Sequence, residues 1–466
     1  MPIPMPKPMP MRRDLSAPMP DLRLAELLSA LSHALDMVEG QPAGHCVRAC
    51  WIGIHIGREL GLSEAELSDL YYTLLMKDVG CSSNAARISQ LYMTDDISFK
   101  RDFMTVNGSL PQVLRFVLSH TGMNASLAER FRALVNVFQN GGEIAHELME
   151  TRCDRGAEIA RKMRFSEKVA EAIRALDEHW DGGGMPKAIG GDAIPLYSRI
   201  ALVSQVVDVF QMTNGAEAAR LEVQHRTGTW FDPKVAWAFD RVAARPDFWT
   251  MLRLDDLQTA IFDLEPAQQR RLVDEDYLDD VAAAFAQVID SKSPYTSGHS
   301  ERVTLFADLI AEQLDMAPAR RRWLKRAALL HDIGKLGVSN SILDKPAKLD
   351  SDEWAAMQKH SVLGETILAR IGAFSDLAFI AGAHHERLDG KGYPRGLRDK
   401  ALPLDVRIVT TADIFDALTA ERPYRAAMPV SKALAIMTDM LGTQIDPVCF
   451  DALKQALKRV DASLAA

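Results

Sequence analysis

The sequence contains no Cys-x-x-Cys pair, no apolar run of about 18 residues and no excess of positive charge. The first absence removes the zinc and redox motifs that depend on paired thiolates. Five cysteines are present, Cys46, Cys50, Cys81, Cys153 and Cys449, and their odd number points to a reducing, cytoplasmic setting. Cys46 and Cys50 lie one helical turn apart and could bind a metal, but small apolar filling is the expected role. The second absence argues against a spanning helix. The third, a net charge of −9, leaves no electrostatic footprint for duplex nucleic acid. A small anionic substrate stays open, since a few local cations suffice for that.

What is present is the composition of a soluble globular protein, 47% hydrophobic and 25% charged. At 466 residues the chain exceeds one ordinary core, so two domains are expected. Met1 to Pro20 alternates proline with methionine and lacks the apolar core of a signal peptide. Proline at positions 2, 4, 6, 8 and 10 opposes a helix, so residues 1–21 are expected to be a disordered tail. From Leu22 onward apolar residues recur at three and four, as in Val303, Phe306, Ala307, Ile310 and Leu314. That period predicts an all-α fold.

The chain repeats itself. His45 and His299 are 254 residues apart, as are Lys77-Asp78-Val79-Gly80 and His331-Asp332-Ile333-Gly334. Further along, Asp181-Gly182-Gly183-Gly184-Met185-Pro186 matches Asp389-Gly390-Lys391-Gly392-Tyr393-Pro394 at a separation of 208. At that separation Ala193 to Ile200 also matches Ala401 to Ile408. The first copy therefore carries about 46 extra residues, between roughly Ala85 and Met149. Two tandem helical bundles follow, over residues 22–216 and 276–466. Residues 217–275 match neither copy and are expected to form a helical connector between them.

The copies diverge where chemistry would occur. His331 becomes Lys77, Lys335 becomes Cys81, His360 becomes Arg152 and His384-His385 becomes Leu176-Asp177. Tyr393 becomes Met185 and Asp413 becomes Gln205. Lysine and leucine cannot replace imidazole in a metal shell at neutral pH. The first copy is therefore expected to hold no comparable cluster and to be a structural or regulatory half.

In the second copy, His331-Asp332 ends an apolar helix at a buried turn, where an unpartnered carboxylate would cost several kcal/mol and a bound cation would offset that cost. Asp413 lies on a helix apolar on most faces, with Asp416 one turn on, which suggests ligation or support of a ligand. His360 sits on a helix expected to start near Ser351, with Asp350 and Glu353 at capping-box spacing. Adjacent His384 and His385 suit two neighbouring metal ions. Lys335, one residue past Gly334, can cap the helix end or reach a phosphate oxygen. Two such cations would together acidify a water and stabilise charge on phosphorus during in-line attack.

These motifs, with Pro294 to Val303, Ile342 to Leu349 and Arg422-Pro423-Tyr424-Arg425, resemble the HD-GYP family. That family is a branch of the HD superfamily of metal-dependent phosphohydrolases. The resemblance covers about Leu278 to Leu434, and the first half resembles a degenerate HD-type copy. It implies metal ligation by His299, His331, Asp332, His360, His384, His385 and Asp413, with Asp332 bridging two ions. It implies iron or manganese in a two- or three-metal cluster. Tyr295 and Thr296 stand where trinuclear members carry an acid, so two ions are favoured. It further implies catalytic roles for Asp332 and Lys335, and substrate contacts from Lys335, Gly390, Tyr393, Arg422 and Arg425. The implied reaction is hydrolysis of a cyclic dinucleotide, chiefly cyclic di-GMP to pGpG and in some members to GMP. The alternatives are 3′3′-cyclic GMP-AMP as substrate, or a non-catalytic receptor. Homodimerisation or docking of a signalling partner through the first half is left open.

Overall fold

The computed structural model describes residues 21–106, 110–123, 125–253, 257–266, 271–421 and 425–464. The tail expected over 1–21 lies, apart from Asp21, outside the described residues. Among the described residues the regular structure is helical, with β pairing confined to isolated bridges. No helix among them is long and apolar enough to cross a membrane. The all-α expectation holds.

The chain divides into two compact units, residues 21–273 with 339–341, and 274–338 with 342–466. The second is a bundle of helices Glu275–Asp290, His299–Gln313, Pro318–Leu330, Ser351–Leu368, Ser375–Ala383, Leu404–Thr419, Val430–Thr438 and Pro447–Leu464. Apolar faces drive them together: Val303, Ala307 and Ile310 of the stripe read from the sequence are buried. Asp350 caps its helix by accepting the amides of Asp352 and Glu353 at 3.0 and 2.9 Å. Glu353 returns the bond to the Asp350 amide at 2.8 Å, completing the expected capping box. Gly334 lets the turn after His331 press onto this helix, because a Cβ there would lie 1.9 Å from the His360 carbonyl oxygen.

The first unit is built from the same devices. A Cβ on Gly80 would meet the Arg152 carbonyl at 2.1 Å, the counterpart of the Gly334 contact. Glu178 accepts the amides of Lys187 and Ile189 at 2.7 and 3.1 Å. Glu386 does the same for Arg395 and Leu397 at 2.7 and 2.8 Å. The extra residues of the first copy fold as helices Asp96–Phe103 and Leu110–His120 and the front of the long helix Leu127–Lys162. They bury a small core of their own, with Tyr92, Phe99, Phe116, Val137 and Ile144.

The segment expected to be a connector makes contacts that recur in the second copy. Arg199 reaches Asp232 at 2.7 Å, just as Arg407 reaches Asp446 at 2.7 Å. Short bridges join Thr227 to Phe231 and Leu441 to Ile445 in the same way. The chain carries Gly-Thr-x-x-Asp-Pro at both places, Gly228–Pro233 and Gly442–Pro447. We therefore propose that the first copy continues to Ala243, the end of helix Pro233–Ala243. The register shifts from 208 to 214 residues before this turn, which hides the match from a fixed-offset reading.

Candidate metal centre

The ligand candidates arrive on five separate elements. His299 opens its helix, and His331 and His384 each follow the last residue of theirs. His360 lies within helix Ser351–Leu368 and Asp413 within helix Leu404–Thr419. His299, His331, Asp332, His360 and His384 are almost wholly buried. His331, His360 and His384 each hold a backbone carbonyl three residues earlier, at Ala328, Met357 and Ala381, with Nδ1 at 2.7 Å. A carbonyl only accepts, so Nδ1 must carry the proton and Nε2 is left with a lone pair.

All these Nε2 atoms turn toward Asp332. Its Oδ2 lies 3.3 Å from Nε2 of His299 and 3.3 Å from that of His331. Its Oδ1 lies 3.6 Å from Nε2 of both His360 and His384. One carboxylate therefore presents each oxygen to a different group of imidazoles. Asp413 joins the first group, 3.5 Å from His299 Nε2. His385 joins the second, its donor atom within 4.8 Å of those of His360 and His384. All seven expected ligands are brought together.

The donor set fits cations. His299 Nε2, His331 Nε2 and Asp332 Oδ1 are buried without hydrogen-bond partners, an expensive arrangement unless something positive lies between them. Burial pushes the His360 pKa down to about 3, so its imidazole is neutral and available for coordination. Burial acts likewise on His299, but Asp332 and Asp416 outweigh it and hold that pKa up at about 9. The field that would keep a proton on His299 favours any cation at the same point. Mixed imidazole and carboxylate donors suit iron or manganese better than magnesium.

Asp416 does not ligate. Its Oδ2 accepts from His299 Nδ1 at 2.7 Å, and Arg302 grips both its oxygens at 2.5 and 3.2 Å. This clamp aims His299, and the sequence shows Arg302 only as part of a motif. Asp416→Asn should weaken manganese binding by about 10- to 100-fold in calorimetric titration of the stripped protein. Unchanged affinity would deny the clamp its role.

The substrate candidates divide. Lys335 places Nζ 2.5 Å from Asp332 Oδ2 and remains partly open to solvent. Tyr393 lies beside His385, ring centroids 4.8 Å apart. Gly390 holds φ +75°, so its part is to make the turn. The Arg425 guanidinium donates to the carbonyls of Leu418 and Ala417, closing the end of helix Leu404–Thr419. Helix-end carbonyls such as these attract a cation as a phosphate would. Arg422 lies outside the described residues.

In the first unit, side-chain cations fill the corresponding place. His45 is held by Asp208 at 2.7 Å, and Arg48 grips Asp208, repeating the His299 clamp. Lys77 then sets its ammonium 2.9 Å from His45 Nε2 and against Asp78. Arg152 pairs with Asp177 at 3.1 Å. Glu39, Asp78 and Cys81 do come within 4.8 Å of one another, but Lys100 stands 3.4 Å from Glu39 and Lys77 on Asp78.

The HD domain family model matches residues 123–235 and 283–449, one stretch in each copy. A protein of Vibrio cholerae named 3′3′-cGAMP-specific phosphodiesterase 3 is 56% identical over 434 residues, covering 93% of this chain and 94% of its own. The cyclic di-GMP phosphodiesterase response regulator RpfG of Xanthomonas campestris is 42% identical over 176 residues, 36% of this chain and 45% of its own. The crystal structure of the cyclic GMP-AMP specific phosphodiesterase V-cGAP3 of V. cholerae superposes with a TM-score of 0.65 at 50% identity. That match covers 94% of this chain and 98% of the other.

Proposed function

The chain belongs to the HD-GYP family of HD domain proteins, and from that membership we propose that it hydrolyses 3′3′-cyclic GMP-AMP. The broader activity, cyclic dinucleotide phosphodiesterase, is common to the relatives above. The observation that carries the narrower reading is similarity along both halves to a relative named for that substrate. The match to RpfG reaches little more than one third of the chain. Cyclic di-GMP, the first expectation from sequence, thus gives way to the alternative considered beside it. A receptor without catalysis is disfavoured, because every ligand position is kept and converges.

His299, His331, Asp332 and Asp413 would hold one ion, and Asp332, His360, His384 and His385 a second; iron or manganese is the expected metal. Bound there, the ions would acidify an attacking water and neutralise charge on the phosphodiester. The protein's own part is geometric. Asp332 sets the spacing of the two groups, and backbone carbonyls keep three imidazoles in the coordinating tautomer. Lys335, anchored on Asp332, offers its remaining N–H bonds to a non-bridging phosphate oxygen. Water attacking opposite the ribose oxygen would form a new P–O bond and break the one to that oxygen, which takes up a proton as the ring opens to a linear dinucleotide.

Incubating manganese- or iron-loaded protein separately with 3′3′-cyclic GMP-AMP and cyclic di-GMP, then chromatographing the products, tests this reading. We expect kcat/KM at least about tenfold higher for cyclic GMP-AMP, a gap of roughly 1.4 kcal/mol in transition-state binding. Equal or reversed preference would remove the narrower assignment. Two intact substrates would remove the enzyme.

A further inference from the structure

A second aromatic ring stands at the edge of the metal centre. Trp354 precedes His360 by six residues on helix Ser351–Leu368, a rise of about 9 Å along the axis. Its ring meets Tyr393 edge-on, centroids 5.9 Å apart at 81°. Tyr393 in turn lies 4.8 Å from His385. A continuous line of rings therefore leads from a ligand imidazole out to the surface.

Trp354 is 47% exposed, and tryptophan is a residue that folding normally covers. It is also held firmly. The capping box of Asp350 and Glu353 fixes the turn that carries it, and Lys345 donates to both Glu353 oxygens at 2.6 and 2.5 Å. An open indole on a fixed turn, with only two side-chain torsions to settle, loses little entropy when a flat ring rests on it.

The first copy supplies an internal contrast. At the 208-residue separation, His146 stands opposite Trp354 and Met185 opposite Tyr393. The indole and the phenol are both lost together with His360 and His385, which become Arg152 and Asp177. Packing alone gives no reason for an exposed indole to follow the ligands.

We propose that Trp354 is a stacking platform for one purine base of the substrate, seating the nucleoside whose phosphate lies at the metal centre. This rests on the phosphodiesterase reading above. Every purine offers a π-face, so the platform sets affinity for the base and leaves its hydrogen-bonding identity to other groups.

Steady-state kinetics of manganese-loaded full-length protein with 3′3′-cyclic GMP-AMP provide the test, using wild type, Trp354→Ala and Trp354→Phe. The alanine variant should raise KM roughly 5- to 150-fold, the range for losing one stacked base, with a smaller change in kcat. Phenylalanine should restore most of the affinity, and both variants should carry the wild-type manganese content. A KM within twofold of wild type for Trp354→Ala overturns the proposal. So does a loss confined to kcat or accompanied by lost metal, which would mean the ring acts through the cluster. Failure of the functional reading is seen separately, as wild type that leaves the cyclic dinucleotide intact, and it overturns both.

Discussion

Asp332→Ala is expected to lower kcat by at least about 10³-fold, because several kcal/mol of charge stabilisation would depend on ions held by the two donor groups that this carboxylate faces. Its oxygens lie 3.3 Å from two imidazoles on one side and 3.6 Å from two on the other. Removing it leaves each group one donor short and takes away the anchor of Lys335. The helical fold should survive, since Lys335, the cation left behind, is partly open to solvent and can be rehydrated. His384→Ala should be comparably severe, for its Nε2 meets Asp332 at 3.6 Å while its carbonyl accepts from Thr410 at 2.8 Å. That backbone bond is untouched by the substitution, so the two effects separate. Product chromatography beside far-ultraviolet circular dichroism checks both variants. Wild-type turnover in either one refutes the ligand assignment.

The other large effect belongs to the first unit. Lys77→Met should destabilise the protein by about 3–5 kcal/mol, the cost of removing one member of a buried ion pair. Lys77 and Asp78 are both buried, and the ammonium also meets His45. Burial pushes the lysine pKa down, yet Asp78 more than reverses this and keeps the side chain charged. An uncharged methionine of similar length fills the space but leaves the Asp78 carboxylate uncompensated. Urea unfolding should show the midpoint of one transition shifted downward, and a chelator should not alter that transition in the wild type. A midpoint matching wild type would mean the ammonium compensates nothing.

The pairing also explains how one fold tolerates both states. The second copy gathers imidazoles and carboxylates, a donor set that suits external cations. In the first, Lys77 and Arg152 bring positive charge covalently, to His45 and Asp78 in one case and Asp177 in the other. Both copies keep the arginine–aspartate clamp behind the leading histidine. Its retention beside Lys77 marks the clamp as part of the scaffold as well as of the metal site.

Much of this is readable in one dimension because the signals are local. Helical periodicity, the Asp350–Glu353 capping box and the order of the histidine motifs depend on residues a few positions apart. Substitutions such as Leu176-Asp177 for His384-His385 need only two aligned strings to be seen. The end proposed for the first copy escapes such alignment because a six-residue change in register precedes the Gly-Thr-x-x-Asp-Pro turn. The bonds from the Arg425 guanidinium to the carbonyls of Leu418 and Ala417 stay hidden in the sequence, because nothing in its spacing reveals them.

Residue identity and order settled that this is a duplicated helical chain with one ligand-bearing copy, since those properties are carried by pattern alone. Folding settled which oxygen of Asp332 faces which imidazoles, that Asp416 aims a ligand, and that Trp354 stands in line with His385. Such facts depend on side chains from helices many residues apart meeting in space, and on directions that atoms take only once the helices have packed.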